Sequence, residues 1–212
     1  GWFRVIVVCQ STTGTTFAQW RPTTVSVALS YPCFGFQVEV QDFATSYIKT
    51  DSGSTVTRNQ DLCNNGGSLS SINSTEGTLY FEGSGLLDGG SNRQVSLSDV
   101  TNNNLVQFRY DTTAGRITSY IRGNGGSYAI KTIVGITQTN NNKIALVWNA
   151  TNLRIWINGT ESGSIATNDL PIAMDTLSFT QPTGGNNFFG NTKCLAVFPF
   201  LTDAELTSLT TI

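Results

Sequence analysis

Apolar residues in this chain recur at every second position in short runs and show almost no helical spacing. Successive side chains on a strand point to opposite faces, so a period of two buries one side of a sheet, whereas a helix needs a period near 3.6. Phe34, Phe36, Val38 and Val40 share one face of residues 34–41. In residues 77–83, Leu79 and Phe81 oppose Thr78, Tyr80 and Glu82. In residues 104–111, Val106, Phe108 and Tyr110 fall on one side. Residues 143–149 differ, because Ile144, Leu146 and Trp148 lie on one face and Ala145 and Val147 on the other. Apolar groups on both faces predict a central, fully buried strand. Further strands are expected over 2–9, 24–29, 116–122, 127–133, 153–158, 161–166, 176–180 and 192–198. Asn158-Gly159 predicts a two-residue hairpin turn between two of them. One helix start stands out: Thr202 as cap, Glu205 at the capping-box spacing, then Leu206 and Leu209. Many short strands separated by turn residues predict an all-β antiparallel sandwich with one short C-terminal helix.

Only 12% of the 212 residues are charged, while 39% are hydrophobic. Ser, Thr, Asn and Gly fill the difference, which suits polar turns between strands and lacks the high net charge of a disordered chain. The length is ample for one large sandwich. A net charge of −2 and no basic run predict no nucleic-acid partner. No apolar stretch approaches the ~20 residues of a membrane span, so no membrane insertion is expected. Histidine is absent, which removes the commonest general base and metal ligand. The four cysteines, at 9, 33, 63 and 194, form no C-x-x-C pair. The polar, turn-rich stretch 42–57 reads as a linker, with an N-terminal β segment over 1–50 and the sandwich over 51–212.

Several motifs occur in a definite order: Gly35-Phe-Gln-Val-Glu39, Thr45-Ser-Tyr-Ile-Lys-Thr50, Val56-Thr-Arg58 with Asp61, and Ser74-Thr-Glu-Gly-Thr-Leu-Tyr80. Trp156-Ile-Asn-Gly159, Phe189-Gly-Asn-Thr-Lys193 and Leu201-Thr-Asp-Ala-Glu-Leu206 follow. This order resembles bacteriophage tail-fibre and other virion proteins in which the end of a jelly-roll, carbohydrate-binding-like module runs into a laminin-G/concanavalin A-like domain. The Gly1-Trp-Phe-Arg4 start resembles the middle of that first module. The resemblance implies a concanavalin-like (laminin-G-like) jelly-roll sandwich at a virion surface, binding host-surface glycans or neighbouring virion subunits as a homo-oligomer, with a trimer favoured. A capsid cement or decoration protein is the alternative, and a glycoside hydrolase of the same fold the third reading.

Sugar recognition calls for aromatic platforms beside amides and charged groups. The candidates are Tyr120, Tyr128 and Trp156, the last opposing Ile155 and Ile157 in strand phase and so expected to face outward, with Arg93, Arg122 and Asn124 nearby. The glycine-rich stretch 122–127 lacks the Gly-Lys-Ser/Thr of a phosphate loop and is expected to form a flexible hairpin tip. No cofactor is required, although the loop with Asp88 and Asn92 offers oxygen ligands for calcium, with Asp169 and Asp175 as further donors. Asp in a Gly-rich turn equally serves to bond the backbone. Glycoside hydrolysis needs two carboxylates about 5–9 Å apart. Glu76 and Glu82 stand six residues apart, about 20 Å along a strand, so a non-enzymatic chain is expected. Cys63 with Cys194 and Cys9 with Cys33 are the pairings the fold would permit; in a reducing cytosol all four would remain small buried thiols.

Overall fold

The computed structural model describes residues 5–6, 34–38, 46–49, 56 and 66–212. The chain divides into two units, Gly1–Gln60 and Asp61–Ile212. In the first, the rings of Phe34 and Tyr47 lie 5.4 Å apart and the Ile48 amide donates to Gln37 Oε1 at 2.6 Å. Residues 34–38 form no strand, and Phe34, Phe36 and Val38 are exposed, so the alternation there seals no core. The rest of the strand expected over 34–41, and almost all of those over 2–9 and 24–29, lie outside the described residues.

The second unit is nearly all β. Its elements are β1 (Gly77–Gly85), β2 (Arg93–Ser98), β3 (Leu105–Tyr110), β4 (Arg116–Arg122), β5 (Ala129–Val134), β6 (Asn142–Trp148), β7 (Asn152–Ile157), β8 (Thr160–Ala166), β9 (Thr176–Ser178), β10 (Gly190–Phe198) and the helix α1 (Asp203–Thr210). They form two five-stranded sheets, in the orders β10-β1-β6-β7-β8 and β5-β4-β3-β2-β9, with antiparallel pairing throughout. This is the all-β antiparallel sandwich that the alternation predicts. β6 occupies the middle of its sheet, as its two apolar faces require. Asn158 and Gly159, at φ 51° and 88°, make the tight turn from β7 to β8.

The core lies between the sheets. Val95, Leu97, Val106, Phe108, Ile117 and Ile121 come from one layer, and Leu79, Phe81, Ile144, Leu146, Trp148 and Ile155 from the other. The Phe81 ring stands 5.1 Å from Phe108 and 5.2 Å from Phe188, and the Trp148 indole N–H donates to the Ser74 carbonyl at 3.2 Å. Each such side chain contributes about 1.5–3 kcal/mol on burial. The helix starts as its sequence indicates: Thr202 accepts from the Glu205 amide, and Glu205 Oε2 accepts from the Thr202 amide at 2.8 Å.

β2 is the strand that sequence patterning passes over. Its Arg-Gln-Val-Ser-Leu-Ser alternates, but only Val95 and Leu97 are apolar, and an arginine heads the run. Pairing with β3 on one side and β9 on the other makes it a strand.

Candidate functional site

Each sheet has an outer face, and the two are built differently. On the first sheet, Tyr80, Ala145, Val147 and Trp156 point away from the core and form a second apolar cluster with Leu206 of α1, with Phe198, Leu201 and Leu209 against it. Trp156 does oppose Ile155 and Ile157, but the helix covers it and leaves it only 7% exposed. The expectation of an exposed Trp156 platform is therefore corrected: the outward phase is right, and a helix some 50 residues later seals that side.

On the second sheet the alternate positions are polar. Strand pairing aligns Ser178, Ser96, Gln107, Tyr120 and Ile130 in one row and Gln94, Arg109, Thr118 and Thr132 in the next. Neighbours within a row stand about 4.8 Å apart, and rows about 6.6 Å apart. On the β9 side, Ser96 Oγ donates to the Thr180 carbonyl at 2.7 Å and Asn186 Nδ2 donates to Gln94 Oε1 at 2.6 Å, so residues 180–186 overlie that flank. On the β5 side, Ile130 and Val134 are exposed.

The Arg109 guanidinium lies 5.0 Å over the Tyr120 ring and 3.4 Å from Asp111 Oδ1. Asp111 is already engaged through Oδ2 by Arg116 Nε at 2.9 Å and Thr118 Oγ1 at 2.7 Å. Burial pushes the Asp111 carboxyl up, but these two donors together with the charge of Arg109 outweigh it and hold the group below the usual carboxylate range. Burial raises the Tyr120 phenol. Tyr120 is itself only 8% exposed, less open than its sequence context suggests. Gln107 Oε1 and Arg109 Nε are buried and have no protein hydrogen-bond partner.

At the rim, Tyr120 meets Tyr128 edge to face at 6.2 Å, and the Arg122 guanidinium sits 4.5 Å over the Tyr128 ring. Arg122 also donates to the carbonyls of Asn102, Gly125 and Gly126 at 2.6–2.8 Å. The hairpin tip expected to be flexible is tied down: the Asn124 amide donates to Asn104 Oδ1 at 2.9 Å and the Gly125 amide to the Asn103 carbonyl at 3.0 Å. Asn124 itself is exposed, in the left-handed region at φ 46°. The structure thus gathers Tyr120, Tyr128, Arg122 and Asn124 at one end of one face.

Arg93 is not among them. It shares the phase of Val95 and Leu97, is fully buried, and donates to the carbonyls of Leu87, Gly89 and Ser91 and to Gln138 Oε1. Its glycan-binding role is corrected to a structural one, because its position in β2 turns it into the sandwich. Asp88 Oδ1 accepts from the amides of Gly115 at 2.7 Å and Gln138 at 3.4 Å, which is the turn-bonding role open to such a residue. Among the described residues no three acidic or cysteine side chains gather as a metal would require. Asp88 is the one carboxylate of its loop and Asn92 adds a single oxygen, with the buried Arg93 charge next to it in sequence. Two side-chain oxygens are fewer than the six to eight that calcium takes from side chains, carbonyls and water together.

Carboxylates are unevenly placed: on the outer side of the first sheet Glu161 and Asp203 share the Arg154 guanidinium at 2.7 and 2.8 Å. β2, β3, β4, β5 and β9 contain no Asp or Glu, and Asp111 directly follows β3. Glu82, on β1, accepts from Asn141 Nδ2 at 3.1 Å and from Tyr80, and lies 3.6 Å from Lys193. The Asn141 bond is the main cause that lowers its carboxyl. Cys194 on β10 is a free, exposed thiol, not a buried one; Cys9, Cys33 and Cys63 lie outside the described residues. Sequence patterning did not single out Gln107 and Arg109. Their signal was present, since they take the positions opposite Val106, Phe108 and Tyr110, but a polar outward position on a strand ordinarily means solvent.

No family model matches the chain, and no curated protein matches it. Solved structures do. The CBM40 of the Ruminococcus gnavus IT-sialidase aligns with TM-score 0.54 at 16% identity, over 65% of this chain and 83% of that one, and another structure of it holds alpha2,3 sialyllactose. Domain 4 of AbnA, a GH43 extracellular arabinanase from Geobacillus stearothermophilus in complex with arabinotriose, aligns with TM-score 0.54 at 12% identity, over 66% and 68% of the two chains. The leech intramolecular trans-sialidase aligns with TM-score 0.52 at 16% identity, over 66% of this chain and 24% of that one. At such identities the likeness is one of fold, and the fold is the β-sandwich of these carbohydrate-binding and sialidase-related structures.

Proposed function

We propose that this chain is a non-catalytic glycan-binding protein whose contact surface is the exposed rim of the β5-β4-β3-β2-β9 sheet, around Tyr128, Arg122 and Asn124. The observation that carries the reading is the cluster at that rim: Tyr128 is 38% exposed, the Arg122 guanidinium sits 4.5 Å over its ring and Asn124 is exposed beside them, whereas Trp156 on the other sheet is sealed by α1. Hydroxyls and amides match the donors and acceptors of a sugar, and an aromatic ring offers an apolar plate for its C–H face. No Asp or Glu stands on the strands of this sheet, which favours binding over hydrolysis there, since hydrolysis needs a pair of carboxylates. The sugar-bound neighbours that share the fold add support.

A virion setting, as a tail fibre or capsid-surface component attaching to host glycans, rests on the order of the sequence motifs. In that setting a homotrimer would multiply weak single-site affinities. The decoration-protein reading has one observation of its own: Ile130 and Val134 are exposed on β5, an edge strand, where a neighbouring subunit would bury them.

A glycan array probed with the full chain tests the proposal. Saccharide binding that falls about tenfold on Tyr128→Ala supports it. An array blank for every saccharide, with the folded chain instead saturably binding a capsid or tail subunit through β5, overturns it.

A further inference from the structure

We infer that the sugar taken at this rim is a neutral one, with two adjacent hydroxyls donating to the Asp169 carboxylate; the inference rests on the glycan-binding reading of the same rim. Asp169 belongs to the loop between β8 and β9, and the fold sets that loop against the 122–127 tip. A Cβ on Gly126 would fall 2.2 Å from Asp169 Oδ2, and one on Gly123 would fall 2.7 Å from the Asp169 carbonyl carbon, so glycine is what admits the approach. Gly126 stands two residues before Tyr128, and its carbonyl accepts from Arg122 Nε at 2.6 Å. The buried Asn104 fixes the arrangement: its Oδ1 accepts from the Asn124 amide at 2.9 Å and from the Ile172 amide at 3.0 Å, which ties the tip and the Asp169 loop to one side chain. The carboxylate is thus positioned at the rim by the packing of the loops that carry it.

Nearby carboxylates are already engaged. Asp99 accepts from Thr101 Oγ1 at 2.6 Å and from Asn104 Nδ2 at 2.7 Å, and Asp175 accepts from Thr176 Oγ1 at 2.8 Å. Asp169 is exposed and has no hydrogen bond or ion pair among the described residues. An ionised carboxylate only accepts, through two oxygens, and its hydrogen bonds are about twice as strong as neutral ones. Two adjacent sugar hydroxyls supply donors to both oxygens, while the Tyr128 ring offers a plate for the sugar's C–H face.

Charge sets the class. An anionic sugar meets Asp169 and Asp99, and gains little from Arg122, which the carbonyls of Asn102, Gly125 and Gly126 already hold. A cationic sugar meets the Arg122 guanidinium, 4.5 Å over the Tyr128 ring. A neutral polyol is repelled by neither. Among the described residues Asp169 also lacks the companion ligands that a metal would require.

The test titrates the full chain with neutral hexose oligosaccharides, their vicinal di-O-methyl ethers, and the matching uronic acids and amino sugars. Methylation of one adjacent hydroxyl pair is expected to weaken the neutral sugar at least about tenfold, the loss of hydrogen bonds to a charged group. Asp169→Asn, shown to be folded by its thermal transition, is expected to weaken the unmethylated sugar to a similar extent and to leave the ether unchanged. Additive losses, or a folded Asp169→Asn that binds as the parent does, overturn the role of Asp169. Tighter binding of the uronic acids or amino sugars overturns the neutral class while glycan binding stands. Binding abolished by EDTA makes Asp169 a metal ligand and overturns direct acceptance from the sugar. No binding to any saccharide removes the glycan reading and this inference with it. The comparison of neutral, acidic and amino sugars on the unmutated chain decides the class even where the variant fails to fold.

Discussion

Trp156 and Tyr128 show how little a side chain's identity says about its duty. Both are aromatic and both occur at outward positions or strand ends, yet Trp156 lies beneath Leu206 while Tyr128 stays 38% exposed beside Arg122. Trp156→Ala is expected to destabilise the second unit by about 3–5 kcal/mol, the usual cost of truncating a buried tryptophan, as read by urea denaturation. Combined with Leu206→Ala, it should be non-additive by more than about 0.5 kcal/mol, because the two side chains share one cluster. Additive losses would mean that the helix does not rest on this ring. Arg93 teaches the same lesson from the other side: a charged residue in a polar stretch invites a binding role, but its phase with Val95 and Leu97 sends it inward, where three carbonyls and Gln138 hold it.

At the scale of elements, hairpins and caps were legible because their chemistry is local. Asn158-Gly159 needs only two residues in the left-handed region, and Thr202 with Glu205 needs only the first turn of a helix. β2 was not legible, since a six-residue strand with two apolar residues becomes a strand through its partners. The 122–127 hairpin lies between these cases. Its glycines suggest freedom, but a Cβ on Gly123 would sit 2.0 Å from the Leu170 carbonyl oxygen. Close approach to the backbone of another loop, and not mobility, explains glycine there. Gly123→Ala should cost about 1–3 kcal/mol through that overlap, lowering the midpoint of thermal unfolding by several degrees. A variant as stable as the parent would show that the two loops part easily.

For the whole molecule, pH dependence follows from the network around Asp111. Its carboxyl is held below the ordinary range in the folded chain, so it contributes stability that is intact above the unfolded value of about 3.9. That stability is lost as pH falls below this value and through the folded one. Asp111→Asn should therefore be less stable at neutral pH and flatten the acid limb of a stability–pH curve measured by denaturant midpoints. A variant that keeps the same acid limb would assign that limb to other carboxyls.

Alternation of side chains along each strand is a local property, and by itself it determined two stacked antiparallel sheets, the central place of β6 and the inward side of most strands. It also put Tyr120, Tyr128, Arg122 and Asn124 near one another in the chain, so part of the candidate face was visible. Covering is not local. Which outward side is sealed depended on where α1 docks, some 50 residues beyond β7, and which polar groups meet depended on β2, β3, β4 and β9 converging from positions 93 to 178. Only the folded chain decided that Trp156 and Arg93 are buried and that Gln107 and Arg109 share an outer face, because those outcomes depend on distances between segments that the order of residues does not encode locally.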